Sequence, residues 1–218
     1  IIREYSWLHT ELIPYMYHYV VTAHEGGRRL MKPVDGKYHY MFGENLLVAP
    51  IYKDELINEV KLPEGKWRYW FDTKKVITGP VEFNQEFSLE EYPAFIREGA
   101  IIPMDIKRRY TGIGESEDDG YLTLLIFPTT GSESFEVYRE KDESTIISYL
   151  MDEKLEVNLT GKKVPHILNI QIPKIPQEVI LDGMVLEEGV DYSFDRQQLI
   201  LKVRTLSYQK GKYTISIQ

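Results

Sequence analysis

After Gly27 this chain has no amphipathic stretch of helix length, and that constrains its fold more than any other feature. The remainder is a series of short β-favouring runs closed by glycine and proline. Leu46 to Ile51 is a continuous apolar run. Val60-Lys61-Leu62 meets Pro63-Glu64-Gly65, Trp67 to Phe71 is rich in aromatics, and Thr78-Gly79-Pro80 comes next. Proline fixes φ and glycine tolerates positive φ, so both groups read as turns. Phe83, Gln85, Phe87 and Leu89 fall on one side of an alternating segment. Ala94 to Ile102 is split by Arg97-Glu98-Gly99, which reads as a tight turn. Strands this short and this closely spaced predict a β-sandwich.

A second β region opens at Tyr121. Leu122 to Phe127 ends at Pro128, and Phe135 to Tyr138 and Thr145 to Tyr149 come after it. Leu155-Glu156-Val157-Asn158-Leu159 alternates and stops at Thr160-Gly161. His166 to Ile172 ends at Pro173. Val179-Ile180-Leu181 precedes Asp182-Gly183, a strong hairpin signal. Leu199 to Val203 and Tyr213 to Ile217 complete about eight strands. Between the two β regions, Gly112-Ile113-Gly114-Glu115-Ser116-Glu117-Asp118-Asp119-Gly120 is acidic and poor in apolar residues, which marks a linker.

Ahead of all this, residues 1 to about 24 carry the three-to-four spacing of one helical face. Ile1, Tyr5, Leu8, Leu12, Met16, Tyr19 and Ala23 form the stripe. Pro14 lacks an amide donor and should bend that helix, and Gly26-Gly27 should end it. The organisation expected is mainly β. One long N-terminal helix over 1–26 precedes a proximal sandwich over 27–108, a linker over 109–120 and a distal sandwich over 121–218.

Composition removes several classes of chemistry. The chain has 218 residues and no cysteine, which excludes disulfides, thiolate metal sites and cysteine nucleophiles. Net charge is -8, a sign that repels nucleic acid. The short cluster Lys107-Arg108-Arg109 reads as a solvated linker. No apolar run reaches the roughly 18 residues of a membrane-spanning helix. Asn158-Leu159-Thr160 matches the N-glycosylation pattern, which arises often by chance. The composition leaves the compartment open.

The motifs for chemistry are equally sparse. Glu90-Glu91, Asp118-Asp119 and Glu187-Glu188 are adjacent pairs, and neighbours on a strand point to opposite faces, so adjacency does not converge two carboxylates. His9, His18, His24, His39 and His166 show no i, i+4 metal pair. Gly112-Ile113-Gly114 neither follows a strand nor opens a helix, so it does not read as a phosphate cradle. No serine sits in a nucleophile elbow. No catalytic residue, metal ligand or cofactor is assigned. Aromatics remain. On a strand Trp67 and Tyr69 share one face and Trp70 takes the other; Trp67 reads as core, and Trp70 is the sugar-stacking candidate.

Three blocks carry a family resemblance: Phe42-Gly43-Glu44-Asn45-Leu46-Leu47-Val48-Ala49-Pro50-Ile51, Leu62-Pro63-Glu64-Gly65-Lys66-Trp67, and Tyr92 to Pro103. They resemble the region just after the catalytic barrel of glycoside hydrolase family 31, the α-glucosidase and α-xylosidase family. Leu12-Ile13-Pro14-Tyr15-Met16-Tyr17 is similar to a barrel-helix pattern of that family, and residues 121 to 149 resemble its distal β module more weakly. The resemblance implies a parent chain that is a retaining α-glycosidase, with two carboxyl groups held about 5 to 5.5 Å apart. It also implies that both lie upstream of residue 1, since an aspartate followed closely by asparagine-glutamate does not occur here.

On that resemblance the first helix is the last helix of a (β/α)8 barrel. The opening Ile1-Ile2-Arg3-Glu4, without methionine, is then expected of a piece cut from a longer chain. Its partner would be the missing barrel, with the fragment inactive alone. A carbohydrate-binding module working through exposed aromatics, and a structural or oligomerisation module, are the other readings. An oligosaccharide, or a second copy through residues 1–24, would be their partners. The helix is expected to pack back on the proximal sandwich or against another copy.

Overall fold

The structure, a computed structural model, describes residues 2–88, 91–106, 118–139, 143–205 and 211–217. The chain divides into two compact units, one of Tyr19–Glu98 and one of Ile1–His18 with Gly99–Gln218.

The N-terminal segment is helical as its periodicity predicts, but it forms two helices, α1 (Ile2–Glu11) and α2 (Ile13–His24). Pro14 has no amide to continue the ladder, so the break falls just before it. The amides of Leu12 and Met16 still donate to the Leu8 and Leu12 carbonyls at 3.0 and 2.9 Å. The end is a glycine cap. Gly26 has φ +83, and the Gly27 amide returns to the Thr22 carbonyl at 2.7 Å. The segment up to His18 groups with the distal β strands, where one expectation set it on the proximal ones and the other against a second copy. Tyr15 stacks on Phe135 at 5.6 Å, and His18 lies 4.3 Å from the same ring. The reason is apolar area: Tyr15 is fully buried there.

In the Tyr19–Glu98 unit the six strands are β1 (Met31–Pro33), β2 (Tyr40–Phe42), β3 (Leu46–Val48), β4 (Ile57–Tyr69), β5 (Asp72–Glu86) and β6 (Ala94–Arg97). They form one sheet in the order β1-β2-β3-β6-β4-β5, not the two sheets of a sandwich. The cause is the β4–β5 hairpin. Pro63-Glu64-Gly65 and Thr78-Gly79-Pro80 do not reverse the chain, as their residue types suggest. They face each other across the hairpin, where the register shifts between Leu62 and Gly65. Such a shift bends a strand pair without ending it. The reversal itself is at Trp70-Phe71. Leu47, Ala49, Val60, Leu62, Trp67, Phe87 and Phe95 make the core, so residues on both sides of the bulge meet in one cluster.

The second unit does hold two sheets. Its strands are β7 (Ile101–Asp105), β8 (Leu122–Ile126), β9 (Gly131–Tyr138), β10 (Ser144–Met151), β11 (Lys154–Gly161), β12 (His166–Gln171), β13 (Pro176–Leu181), β14 (Met184–Val185), β15 (Tyr192–Asp195), β16 (Ile200–Thr205) and β17 (Lys212–Ile217). One sheet runs β14-β13-β17-β11-β10-β9 and the other β15-β16-β12-β8-β7. All eight expected runs are strands, and β14 and β15 are additions. The Asp182-Gly183 turn has φ of 51 and 88, as a two-residue hairpin turn requires. β7 comes only three residues after β6, past Glu98-Gly99-Ala100, yet it pairs with β8 in the second unit. Pairing therefore changes unit at Gly99, before the linker candidate. Most of that candidate lies outside the described residues.

Within this unit, Leu155, Val157 and Leu159 are buried and alternate with half-buried Glu156 and Asn158, as the sequence pattern predicts. β12 is buried almost throughout and pairs parallel with β8 and antiparallel with β16. As a central strand it is covered on both faces, and its buried polar residues His166 and Gln171 are satisfied by hydrogen bonds.

Candidate functional site

One carboxylate of each adjacent pair has a structural partner. One Asp118 oxygen takes the Lys202 ammonium at 2.7 Å and the Arg204 guanidinium at 3.1 Å. Glu91 accepts the Tyr69 hydroxyl at 2.8 Å, and its neighbour Glu90 lies outside the described residues. Glu188 pairs with Arg196 at 3.6 Å, while the Glu187 amide donates to Asp191 at 2.9 Å. Among the described residues no group of three histidine, aspartate and glutamate side chains is placed to hold a metal ion. Gly112-Ile113-Gly114 and Lys107-Arg108-Arg109 lie outside the described residues.

The histidines divide between surface and packing. His9 and His24 are exposed. His18 is half-buried against Phe135 and Tyr138, with Nδ1 2.8 Å from the Glu136 carbonyl. Burial pushes its pKa below the ordinary value, and the carbonyl contact only partly opposes that. His166 is fully buried. Its Nδ1 lies 3.0 Å from the Val164 carbonyl, an acceptor only, so Nδ1 carries the proton. Nε2 is then an acceptor for the Tyr213 hydroxyl at 2.6 Å. The Tyr213 oxygen in turn accepts from the Thr205 hydroxyl at 2.5 Å. This chain joins β12 and β16 of one sheet to β17 of the other. Burial holds His166 below its ordinary pKa, which keeps it neutral.

Trp67 is 2% exposed, and its indole N–H donates to the Pro63 carbonyl at 3.0 Å. It is core, as its place in the strand period predicts, and cannot stack on a sugar. Trp70 sits in the hairpin turn, half-buried, with its amide bonded to the Ala94 carbonyl at 2.9 Å. Beside it Phe71 is exposed, and Tyr69 packs against Phe87 and Phe95. Tyr40 is bonded to Tyr92, and burial together with that contact pushes its pKa to about 12, so it remains a neutral phenol.

A shallow cleft of about 720 Å³ lies beside β1 and β2, between Arg28, Arg29, Lys32 and Arg97 on its charged side and Met31, Met41, Pro63 and Trp67 on its apolar side. Arg28 is paired with Glu44. Two tyrosines that no motif singles out, Tyr38 and Tyr52, are exposed together on the same unit, with ring centroids 5.1 Å apart. No local sequence signal marks them, because they come from separate loops.

Residues 20–102 match the family model described as the glycosyl hydrolase family 31 C-terminal domain. Over 196 residues, 82% of this chain, the sequence is 28% identical to an α-glucosidase of Saccharolobus solfataricus. Over 114 residues, 44% of the chain, it is 32% identical to an α-xylosidase of Emericella nidulans. The chain spans 27% and 15% of the lengths of these relatives. A cycloalternan-forming enzyme of Listeria monocytogenes, solved with a pentasaccharide substrate, aligns over 96% of this chain and 22% of its own, at 25% identity and a TM-score of 0.82. The fold, the three sequence blocks and these likenesses agree: residues 20–102 of this chain are similar to the C-terminal domain of glycosyl hydrolase family 31.

Proposed function

We propose that the chain is the non-catalytic C-terminal region of a retaining α-glycosidase, of α-glucosidase or α-xylosidase type, and that it supports the catalytic barrel of the same polypeptide. The observation that carries this reading is the family 31 C-terminal match over residues 20–102, in a chain where one carboxylate of each adjacent pair is engaged in an ion pair or a hydrogen bond. A retaining glycosidase needs two facing carboxyl groups, one as nucleophile and one as acid/base. Asp118 instead neutralises two cations and Glu91 accepts a tyrosine hydroxyl.

The surface suits a supporting role. Ile13 and Tyr17 lie one helical turn apart on α2 and are 50% and 46% exposed. An apolar stripe left in water at the start of a helix is what a neighbouring barrel element would cover. Residues 1–26 would then be the last helix of that barrel, with the β units following it and 109–120 as the linker.

The test is an assay of the purified 218-residue chain on aryl α-glucosides and aryl α-xylosides. No turnover above background is expected. Turnover that survives repurification would end the non-catalytic reading.

A further inference from the structure

We propose that Tyr38 and Tyr52 form a surface binding site for a neutral oligosaccharide, and the choice of a sugar as ligand rests on the α-glycosidase reading above. In the β2–β3 hairpin Tyr40 pairs with Val48, so Tyr38 and Tyr52 both lie just beyond its open end. Their rings meet edge to face, at 77° and 5.1 Å between centroids. Tyr38 is 64% exposed and Tyr52 40%. Neither hydroxyl makes a hydrogen bond among the described residues, so both remain available to a ligand.

The backbone beneath Tyr38 is built to hold it there. Tyr38 has φ +63, a region that a bulky residue enters only under strain. The buried His39 secures the loop on both sides. Its Nδ1 donates to the Lys37 carbonyl at 3.0 Å, and its Nε2 accepts the Lys61 amide at 3.2 Å. The Val34 amide donates to the His39 carbonyl at 3.2 Å. Gly36 has φ +108, and a Cβ there would lie 2.6 Å from the His39 ring. Asparagine or glycine at position 38 would relieve the strain. The chain instead keeps a large aromatic ring, aimed at water. Strained backbone positions recur at ligand-binding sites, and here the strain is fixed from below and serves no burial.

The chemistry around the rings selects a neutral, hydroxyl-rich ligand. The Lys37 ammonium lies 4.8 Å from the Tyr52 ring centroid and 5.6 Å from that of Tyr38. It is an exposed, flexible donor that can swing to the hydroxyls of a bound sugar. Lys53 lies 5.8 Å from the Tyr52 ring centroid and is paired with Glu55 at 3.5 Å, and Asp35 stands in the same loop as Lys37, so carboxylates offset the lysines and the patch is a poor anion site. A pyranose presents C–H groups on its faces and hydroxyls at its rim. The faces match the tyrosine rings, and the rim matches Lys37 and the two phenols.

Titration calorimetry with maltohexaose and with a xyloglucan heptasaccharide, on the 218-residue chain, tests the site. Wild-type chain is expected to bind at least one of them, and Tyr52→Ala to weaken binding about tenfold. Tyr38→Asn should weaken it similarly while raising the thermal midpoint, because asparagine accepts positive φ more readily. Loss of binding in a more stable variant cannot be ascribed to unfolding. The proposal is overturned if the wild type binds neither sugar. It is also overturned if binding survives both substitutions, or is removed by Trp70→Ala and not by them. The non-catalytic reading is judged separately: turnover by the chain would end that reading and leave a measured Tyr38/Tyr52 dependence standing.

Discussion

Replacing Tyr213 by phenylalanine removes one oxygen from the interior of the two-sheet unit. Tyr213 is fully buried, and its hydroxyl is the middle of the chain Thr205–Tyr213–His166. With His166 Nδ1 engaged at Val164, the variant leaves Nε2 as a buried acceptor and the Thr205 hydroxyl without this acceptor. A buried polar group stripped of its partner destabilises by about 1–3 kcal/mol, and Thr205 can rotate to limit its share, so the expected loss is about 2–3 kcal/mol. In urea that lowers the midpoint of this unit by about 1 M. The wild type also carries a pH signature. His166 and His18 both titrate below their ordinary value in the folded chain, so the unfolded chain binds more protons just below about pH 6.5. Their contribution is complete above that pH and falls as pH drops below it, by at most about 1.4 kcal/mol per unit for His166 and by less for the half-buried, solvent-screened His18. Urea unfolding at about pH 7.5 and about pH 5.5, either side of the ordinary histidine pKa, measures both effects. A Tyr213→Phe loss under about 0.5 kcal/mol would show that the chain of hydroxyls is incidental to stability. Stability that rises on acidification would refute the assignment of neutral histidines.

Four other substitutions, at three places, examine the packing. Gly79→Ala would set a Cβ 2.0 Å from the Pro63 carbonyl oxygen, so β4 and β5 must part at the bulge; a loss of about 2–3 kcal/mol is expected in thermal unfolding. Thr123 is 1% exposed and its hydroxyl has no partner among the described residues, so Thr123→Val should be neutral or stabilising by the same measurement. Arg68 and Glu98 form an ion pair with side chains 15% and 13% exposed. Glu98→Leu alone should destabilise by about 2 kcal/mol, and Arg68→Met with Glu98→Leu by less than either change alone, in a double-mutant cycle.

The strands of the second unit are legible in the sequence because their signal is local. Leu155, Val157 and Leu159 alternate with polar residues, and one face of a strand is enough to explain that pattern. Asp182-Gly183 is legible for the same reason: two positive φ values in succession restrict the residue types. The β4–β5 hairpin is not. Pro63-Gly65 and Gly79-Pro80 have the composition of turns, but their effect depends on lying opposite each other, and the sequence does not show that Leu62 pairs with Val81. The same holds for β7. Ile101 to Met104 is apolar whichever sheet receives it, and only its pairing with β8 places it in the second unit.

The candidate site divides in the same way. Trp67 is readable as core because the strand period sets it beside Tyr69, and both pack inward. The same period assigns Trp70 to the opposite strand face, but Trp70 leaves the strand at the turn, where period no longer predicts direction. Tyr38 and Tyr52 carry no pattern at all. What makes them a pair is a loop held by His39 through the amide of Lys61, a partner 22 residues away, and by a backbone angle that residue preference alone would assign to glycine. A site on a strand inherits its geometry from the repeat of the strand. A site on loops depends on long-range contacts that hold strain in place, and those contacts first become visible in the folded chain.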